Sequence, residues 1–154
     1  MELRSDLTFP TLDEPCVQRI AKLASRLDGS GPGESDDELR EFNERTGTSY
    51  ELSEFQGIFG GMEHETWVRT LLCEPFATKP LAPTRDELLE IITRLTAGDD
   101  EVHEQFFWIR VLETHLDPEI SDLIYWPGEY FGDGDNSREL SPQQILETAF
   151  ESKP

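Results

Sequence analysis

Two short groups of polar residues resemble the beginning of a metal-binding motif, and neither is complete. His64-Glu65 begins a zinc-protease pattern, but Val68 stands where a second histidine is needed on the same helical face. Asp133-Gly134-Asp135 begins like a calcium-binding loop, but Arg138 and Gln144 occupy the positions that require a glycine and a carboxylate. The other histidines, His103 and His115, are expected on the surface of a helix. We therefore expect no metal site.

The sequence offers equally little for catalysis. It contains no GxSxG nucleophile motif, and the GxGxxG and GK[ST] patterns of phosphate-binding loops are absent. An enzyme of an unrecognised type would need a pocket of titratable groups with shifted pKa values, and no feature of the sequence points to one. We expect no catalytic residue, no cofactor and no enzymatic activity.

Residues 121–127, Ser-Asp-Leu-Ile-Tyr-Trp-Pro, have the composition of a protein-binding surface. Tyr125 and Trp126 are adjacent, so both rings cannot face one core from a single helical turn, and the two preceding aliphatic residues can supply the core contacts. An exposed aromatic ring beside Asp122 suits an interface, because such rings anchor partners and a carboxylate pairs with Arg or Lys. The alternative is that both rings pack against the N-terminal half.

The predicted helix before this segment adds a second candidate surface. Its acidic side carries four residues at helical spacing: Glu101, Glu104, Gln105 and Trp108. Trp108 is either an anchor inside a negative patch or a core residue, because this helix is apolar over a wide arc.

The elements that would position these residues are all predicted to be helical. In the N-terminal half, apolar residues recur at helical spacing and no alternating run indicates a strand. The helices predicted there span residues 14–27, 36–46, 53–59 and 63–73. Residues 28–36 are predicted as a flexible loop and residues 75–83 as an extended, proline-rich linker. We place a domain boundary near 80–83, between domains 1–80 and 83–154.

The C-terminal half is predicted as two long helices, a single turn and a last helix. Thr84 and Glu87 form a capping-box pattern, and Gly98 ends that helix. The second helix begins at Asp99-Asp100-Glu101, where acidic residues favour a helix start. The turn is followed by a polar loop at 128–138 and by a helix that Ser141 caps.

Charge restricts the classes of partner. The chain has 33 acidic residues against 13 Lys and Arg, a net charge of −20. Such a field repels nucleic acid and anionic membranes and attracts basic proteins, although it is also common on a merely soluble surface. Residues 83–154 carry 17 acids and five Lys or Arg, and residues 1–82 carry 16 and eight. Two distant cysteines and no signal peptide or membrane span lead us to expect a cytoplasmic protein.

The run 121–127 resembles the Ser-Asp-Leu-Ile-Tyr-Tyr-Pro signature of the immunity proteins of nuclease colicins and pyocins. The similarity continues on both sides of the run and covers roughly residues 83–152. The flanking matches are Thr84-Arg85-Asp86-Glu87-Leu88, Asp117-Pro118 and Leu140-Ser141-Pro142-Gln143-Gln144-Ile145.

The resemblance implies a distorted four-helix bundle with a very short third helix, which binds the basic nuclease domain of a cognate toxin and excludes nucleic acid. Asp122 and Tyr125 then match the shared anchors, and Ser121 matches a contact at the edge. Trp126 departs from the family, which usually has a second tyrosine there. The acidic second helix matches the helix that determines partner choice in that family. The alternative function is an acidic helical adaptor, which uses the same fold to bind another basic protein.

Overall fold

The computed structural model describes residues 2–55, 63–79 and 82–151. Within these ranges the chain forms eight α-helices and two 3₁₀ turns, without a β-strand, so the prediction of an all-α protein is confirmed. The helices are α1 (Glu14–Asp28), α2 (Asp36–Thr46), α3 (His64–Thr78), α4 (Arg85–Ala97), α5 (Val102–His115), α6 (Ile120–Tyr125), α7 (Pro127–Phe131) and α8 (Pro142–Glu151). No described helix is long and apolar enough to cross a membrane.

The chain folds as two compact units. One unit joins Met1–Pro10 to Glu74–Pro154, and we call it the discontinuous unit. The other is Thr11–Cys73, which we call the 11–73 unit. The division into domains 1–80 and 83–154 remains a prediction, and these units differ from it because the first ten residues belong with the C-terminal part.

The 11–73 unit is built on the apolar face of α1. Residues spaced three and four apart along that helix are fully buried, as an amphipathic helix requires: Val17, Ile20, Leu23, Ala24 and Leu27. Phe42 of α2 stacks on Trp67 with ring centroids 5.6 Å apart, and Phe55 meets Phe42 edge-on at 4.9 Å. Both are favourable ring geometries, so aromatic contacts close the core opposite α1.

Ion pairs occupy several of the basic side chains of the 11–73 unit. Glu41 accepts hydrogen bonds from Arg19 and Arg45, which lower its pKa to about 2. Arg69 donates to both Glu14 and Glu65. Exposed pairs of this kind contribute little to stability, but they do neutralise cations that would otherwise repel a basic partner.

Three helix boundaries differ from those predicted. The prediction of an extended linker at 75–83 is wrong for residues 75–78, because α3 continues through Pro75 to Thr78. An interior proline costs a helix about 3 kcal/mol, and burial of Ala77 and the ion pair of Glu74 with Arg110 oppose that cost. The helix predicted at 53–59 is a 3₁₀ turn over Leu52–Phe55, and the rest of it lies outside the described residues.

The third difference is α7, where a polar loop was predicted for residues 128–138. Pro127 stands at the first position of this helix, where a missing N–H is tolerated. Gly132 ends it in the left-handed conformation at φ 74°, which costs glycine little.

In the discontinuous unit, α4 packs against α5 and α8, and the six-residue α6 packs against α5, α7 and α8. The predicted capping box of α4 is present. The N–H of Glu87 donates to the Thr84 hydroxyl at 3.1 Å, and the N–H of Thr84 donates to the Glu87 carboxylate at 2.9 Å. Ser141 and Gln144 exchange the corresponding pair of hydrogen bonds at the start of α8.

The N-terminal segment completes the discontinuous unit. Leu3 and Leu7 are buried, and the ring of Phe9 lies edge-on to Phe107 of α5. Arg4 donates to the Glu87 carboxylate at 2.9 Å, next to the capping box. The first ten residues are thus part of the packing around α4 and α5.

Replacing Thr84 with Ala removes the hydroxyl that caps α4, and we expect a loss of about 1 kcal/mol in the free energy of unfolding. The measurement is urea denaturation followed by circular dichroism. Thr93→Ala is the matched control, because Thr93 is an exposed residue of the same helix and its hydroxyl donates to the Leu89 carbonyl rather than capping the helix. An equal loss in both variants would contradict the capping role.

The cap also predicts a pH dependence. The backbone N–H of Thr84, with help from Arg4, holds the pKa of Glu87 below its usual value. A depressed carboxyl pKa contributes stability that is present above the unfolded pKa and is lost as pH falls through the folded pKa. We expect the melting temperatures of the wild type and Glu87→Gln to converge as pH falls through that window. A constant difference down to the lowest pH would contradict the prediction.

Candidate partner-binding surface

The short helix α6 has one buried and one outward face. Ile120 and Leu123 are buried three residues apart, which fixes the orientation of the helix. Asp122 is half-buried and Tyr125 is exposed, also three residues apart, so they lie on a common side of the turn. Within the described ranges, no residue hydrogen-bonds or ion-pairs with the Asp122 side chain. Its carboxylate is available to a partner.

Tyr125 and Trp126 are both exposed, at 40% and 57% of their surface. The alternative in which both rings are packed away does not hold. Partial burial raises the pKa of Tyr125, so its hydroxyl remains a hydrogen-bond donor across the neutral range. Ser121, the predicted edge contact, is half-buried at the start of the same helix. The predicted anchors lie within six residues of the chain and none of them is buried, and we call this set the α6 patch: Ser121, Asp122, Tyr125 and Trp126.

The backbone that follows the α6 patch is held tightly. The N–H of Gly128 donates to the Asn136 side chain at 2.8 Å, and the Gly128 carbonyl accepts from the N–H groups of Asp133 and Gly134. A Cβ atom at position 128 would lie 2.4 Å from the backbone nitrogen of Asp135, so only glycine fits there. This close packing restricts the backbone next to Trp126. A side chain on a restricted backbone loses less conformational entropy when it binds a partner.

The predicted contacts on α5 separate into two groups. Glu101 is exposed at the start of the helix, and Glu104 and Gln105 are half-buried. The Gln105 side chain donates to the Asp100 carbonyl at 2.5 Å. These three residues remain candidates for partner choice.

Trp108 belongs to the core, and its assignment to a partner surface is wrong for this structure. It is 3% exposed, its indole N–H donates to the Leu7 carbonyl at 2.9 Å, and Arg94 covers its ring. A buried indole needs an acceptor for its N–H, and here a segment far away in sequence supplies it. Spacing along α5 alone could not reveal that acceptor.

The histidines are less exposed than predicted. His103 is half-buried with its ring 4.7 Å from that of Phe9, and His115 is half-buried at the end of α5. In the parts of the chain that the structure describes, no group of three His, Cys, Asp or Glu side chains is arranged to hold a metal ion.

Sequence reasoning missed the aromatic residue at the end of α7. Phe131 is 44% exposed, and Arg138 lies over its ring at 4.3 Å. Pro127 at the first helical position and Gly132 just past the last one were the available signal for this helix.

Comparison with protein-family models, with curated proteins and with solved structures finds no match to this chain.

Truncation of the two tryptophans of the discontinuous unit should affect the free energy of unfolding to very different extents. Trp108→Ala leaves a cavity in the core, and we expect it to lower the free energy of unfolding by about 3–5 kcal/mol. Trp126→Ala removes an exposed ring, so its effect should stay within about 0.5 kcal/mol. Chemical denaturation of both variants tests this, and a large loss from Trp126→Ala would mean that its ring supports the fold.

Proposed function

We propose that this protein is an immunity protein, which binds and inhibits a basic nuclease toxin of the bacteriocin class in the cytoplasm of the producing cell. The observation that carries the proposal is the α6 patch, where an aromatic pair is exposed beside the available carboxylate of Asp122. The same run of residues resembles the signature of the immunity proteins of nuclease colicins and pyocins.

The chemistry of the patch suits a basic partner. Tyr125 offers a ring and a hydroxyl donor, Trp126 offers a larger ring and an indole N–H, and Asp122 offers a carboxylate to Arg or Lys. Aromatic anchors surrounded by charge are typical of hot spots, where a few residues contribute most of the binding energy. Glu101 at the start of α5, together with Glu104 and Gln105 on the helix, would then contribute to partner choice.

Inhibition in this proposal works by exclusion of the nucleic acid. A protein of net charge −20 bound beside a nuclease active site repels the phosphate backbone and blocks its approach. The same charge accelerates capture of the basic toxin, and salt should slow that capture. No chemical step is required of the chain, so we propose no enzymatic activity.

The proposal predicts that Asp122→Ala and Tyr125→Ala each weaken binding to the cognate nuclease domain by about 2 kcal/mol or more. The assay is calorimetric titration of the full chain into the nuclease domain encoded beside it, at low and moderate salt, with cleavage measured in parallel. Both variants should remain folded, since neither side chain is part of the core.

Two matched controls separate the patch from general effects. Glu147→Ala removes the same charge as Asp122→Ala, from an exposed position on α8. Phe76→Ala removes an aromatic side chain that is 41% exposed, against 40% for Tyr125. Wild-type affinity in the two patch variants would refute the site. If the nuclease is neither bound nor inhibited, the immunity function fails for that toxin, and the acidic adaptor becomes the favoured function.

A further inference from the structure

The end of α7 carries a side-chain arrangement that the α6 patch does not include. The guanidinium of Arg138 lies over the exposed ring of Phe131, 4.3 Å from its centroid. The same guanidinium donates a hydrogen bond to the Asp133 carboxylate. Tyr130 packs edge-on against Phe131 with centroids 5.2 Å apart and donates its hydroxyl to Asp117. An aromatic face and a carboxylate thus hold one guanidinium between them.

Asp133 is itself held in place by the chain. Its carboxylate accepts the N–H of Asp135 at 3.0 Å, and this hydrogen bond, together with Arg138, lowers its pKa. The side chain is ionised at neutral pH, so the negative charge beside Phe131 is permanent there.

Charge makes Arg138 unusual in its surroundings. Residues 117–139 contain seven carboxylates and a single Lys or Arg, which is Arg138. Because it is the one cation in that stretch, it is also the one group there that repels a basic partner. In the described structure its guanidinium lies over an aromatic ring and its charge is neutralised by Asp133.

We propose that Phe131 and Asp133 form a guanidinium-binding site, which Arg138 fills in the free protein and which an arginine of a basic protein partner occupies after displacing it. The identity of this partner rests on the proposed function. The guanidinium-binding site adds a second contact to that function, beyond the α6 patch. The exchange needs little free energy, since exposed ion pairs and cation–π contacts are individually weak. Arginine is preferred to lysine because its planar group stacks on a ring while it hydrogen-bonds to a carboxylate.

The test uses the full chain and an acetylated, amidated tri-arginine peptide, with tri-lysine as the comparison. Arg138→Gln vacates the site, so it should bind tri-arginine roughly two- to fivefold more tightly than the wild type, with a smaller gain for tri-lysine. Adding Phe131→Leu or Asp133→Asn to Arg138→Gln should remove that gain. Binding is followed by NMR through the ring signals of Phe131 or, in the leucine variant, the amide signals of residues 128–138.

Arg40→Gln is the control for net charge, because Arg40 is an exposed α2 residue that also pairs with a nearby carboxylate, that of Asp37. An equal gain from Arg40→Gln, or a gain from Arg138→Gln that survives the loss of Phe131, would overturn the site. Titration of the same variants with the nuclease domain separates the two proposals. If the peptide results hold and no nuclease is bound, the guanidinium site stands and the immunity function fails.

Discussion

The carboxylate of Asp117 holds together the part of the molecule that carries the candidate surfaces. It is buried at the end of α5, and its two oxygens accept the N–H of Glu119 and the hydroxyl of Tyr130, each at 2.9 Å. The first bond sets the start of α6, and the second attaches α7. Losing either donor would cost free energy, because a buried carboxylate needs hydrogen bonds to offset its desolvation. The orientation of Tyr125, Trp126 and Phe131 therefore depends on a residue that is itself buried.

In the proposed function, long-range and short-range interactions have separate roles. The excess of acidic residues acts at a distance, because charge attracts a basic protein before any side chains touch, and it is weakened by salt. The exposed rings act only on contact, because they must exclude water to contribute. All five large apolar side chains that are exposed in the described residues lie outside the 11–73 unit: Phe76, Val102, Tyr125, Trp126 and Phe131. The aromatic residues that the structure describes in that unit instead pack against each other.

Local sequence patterns predicted the helices well and the long-range contacts poorly. The caps of α4 and α8 are visible in sequence because a capping box involves residues only three apart. Helical geometry predicted that at least one of Tyr125 and Trp126 is exposed, with Leu123 and Ile124 as the core contacts. In the structure both rings are exposed, and Ile120 is buried beside Leu123 while Ile124 is only half-buried. Trp108 could not be assigned in this way, because its partner Leu7 is remote in the chain. The extension of α3 through Pro75 was missed for the same reason, since local propensity opposes it and packing decides.

The C-terminal part of the discontinuous unit depends on the first ten residues of the chain for part of its packing. A fragment that begins at residue 83 resembles a complete immunity domain by sequence, yet it lacks the acceptor of the Trp108 indole and the buried side chains of Leu3 and Leu7. The chain leaves this unit after Pro10 and returns at Glu74, so residues 11–73 form a long closing loop in its topology. Closing a loop costs entropy that grows only slowly with its length, and a loop that is itself folded has lost much of that entropy already. Folding of residues 11–73 therefore reduces the entropy cost of completing the unit that carries the candidate surfaces.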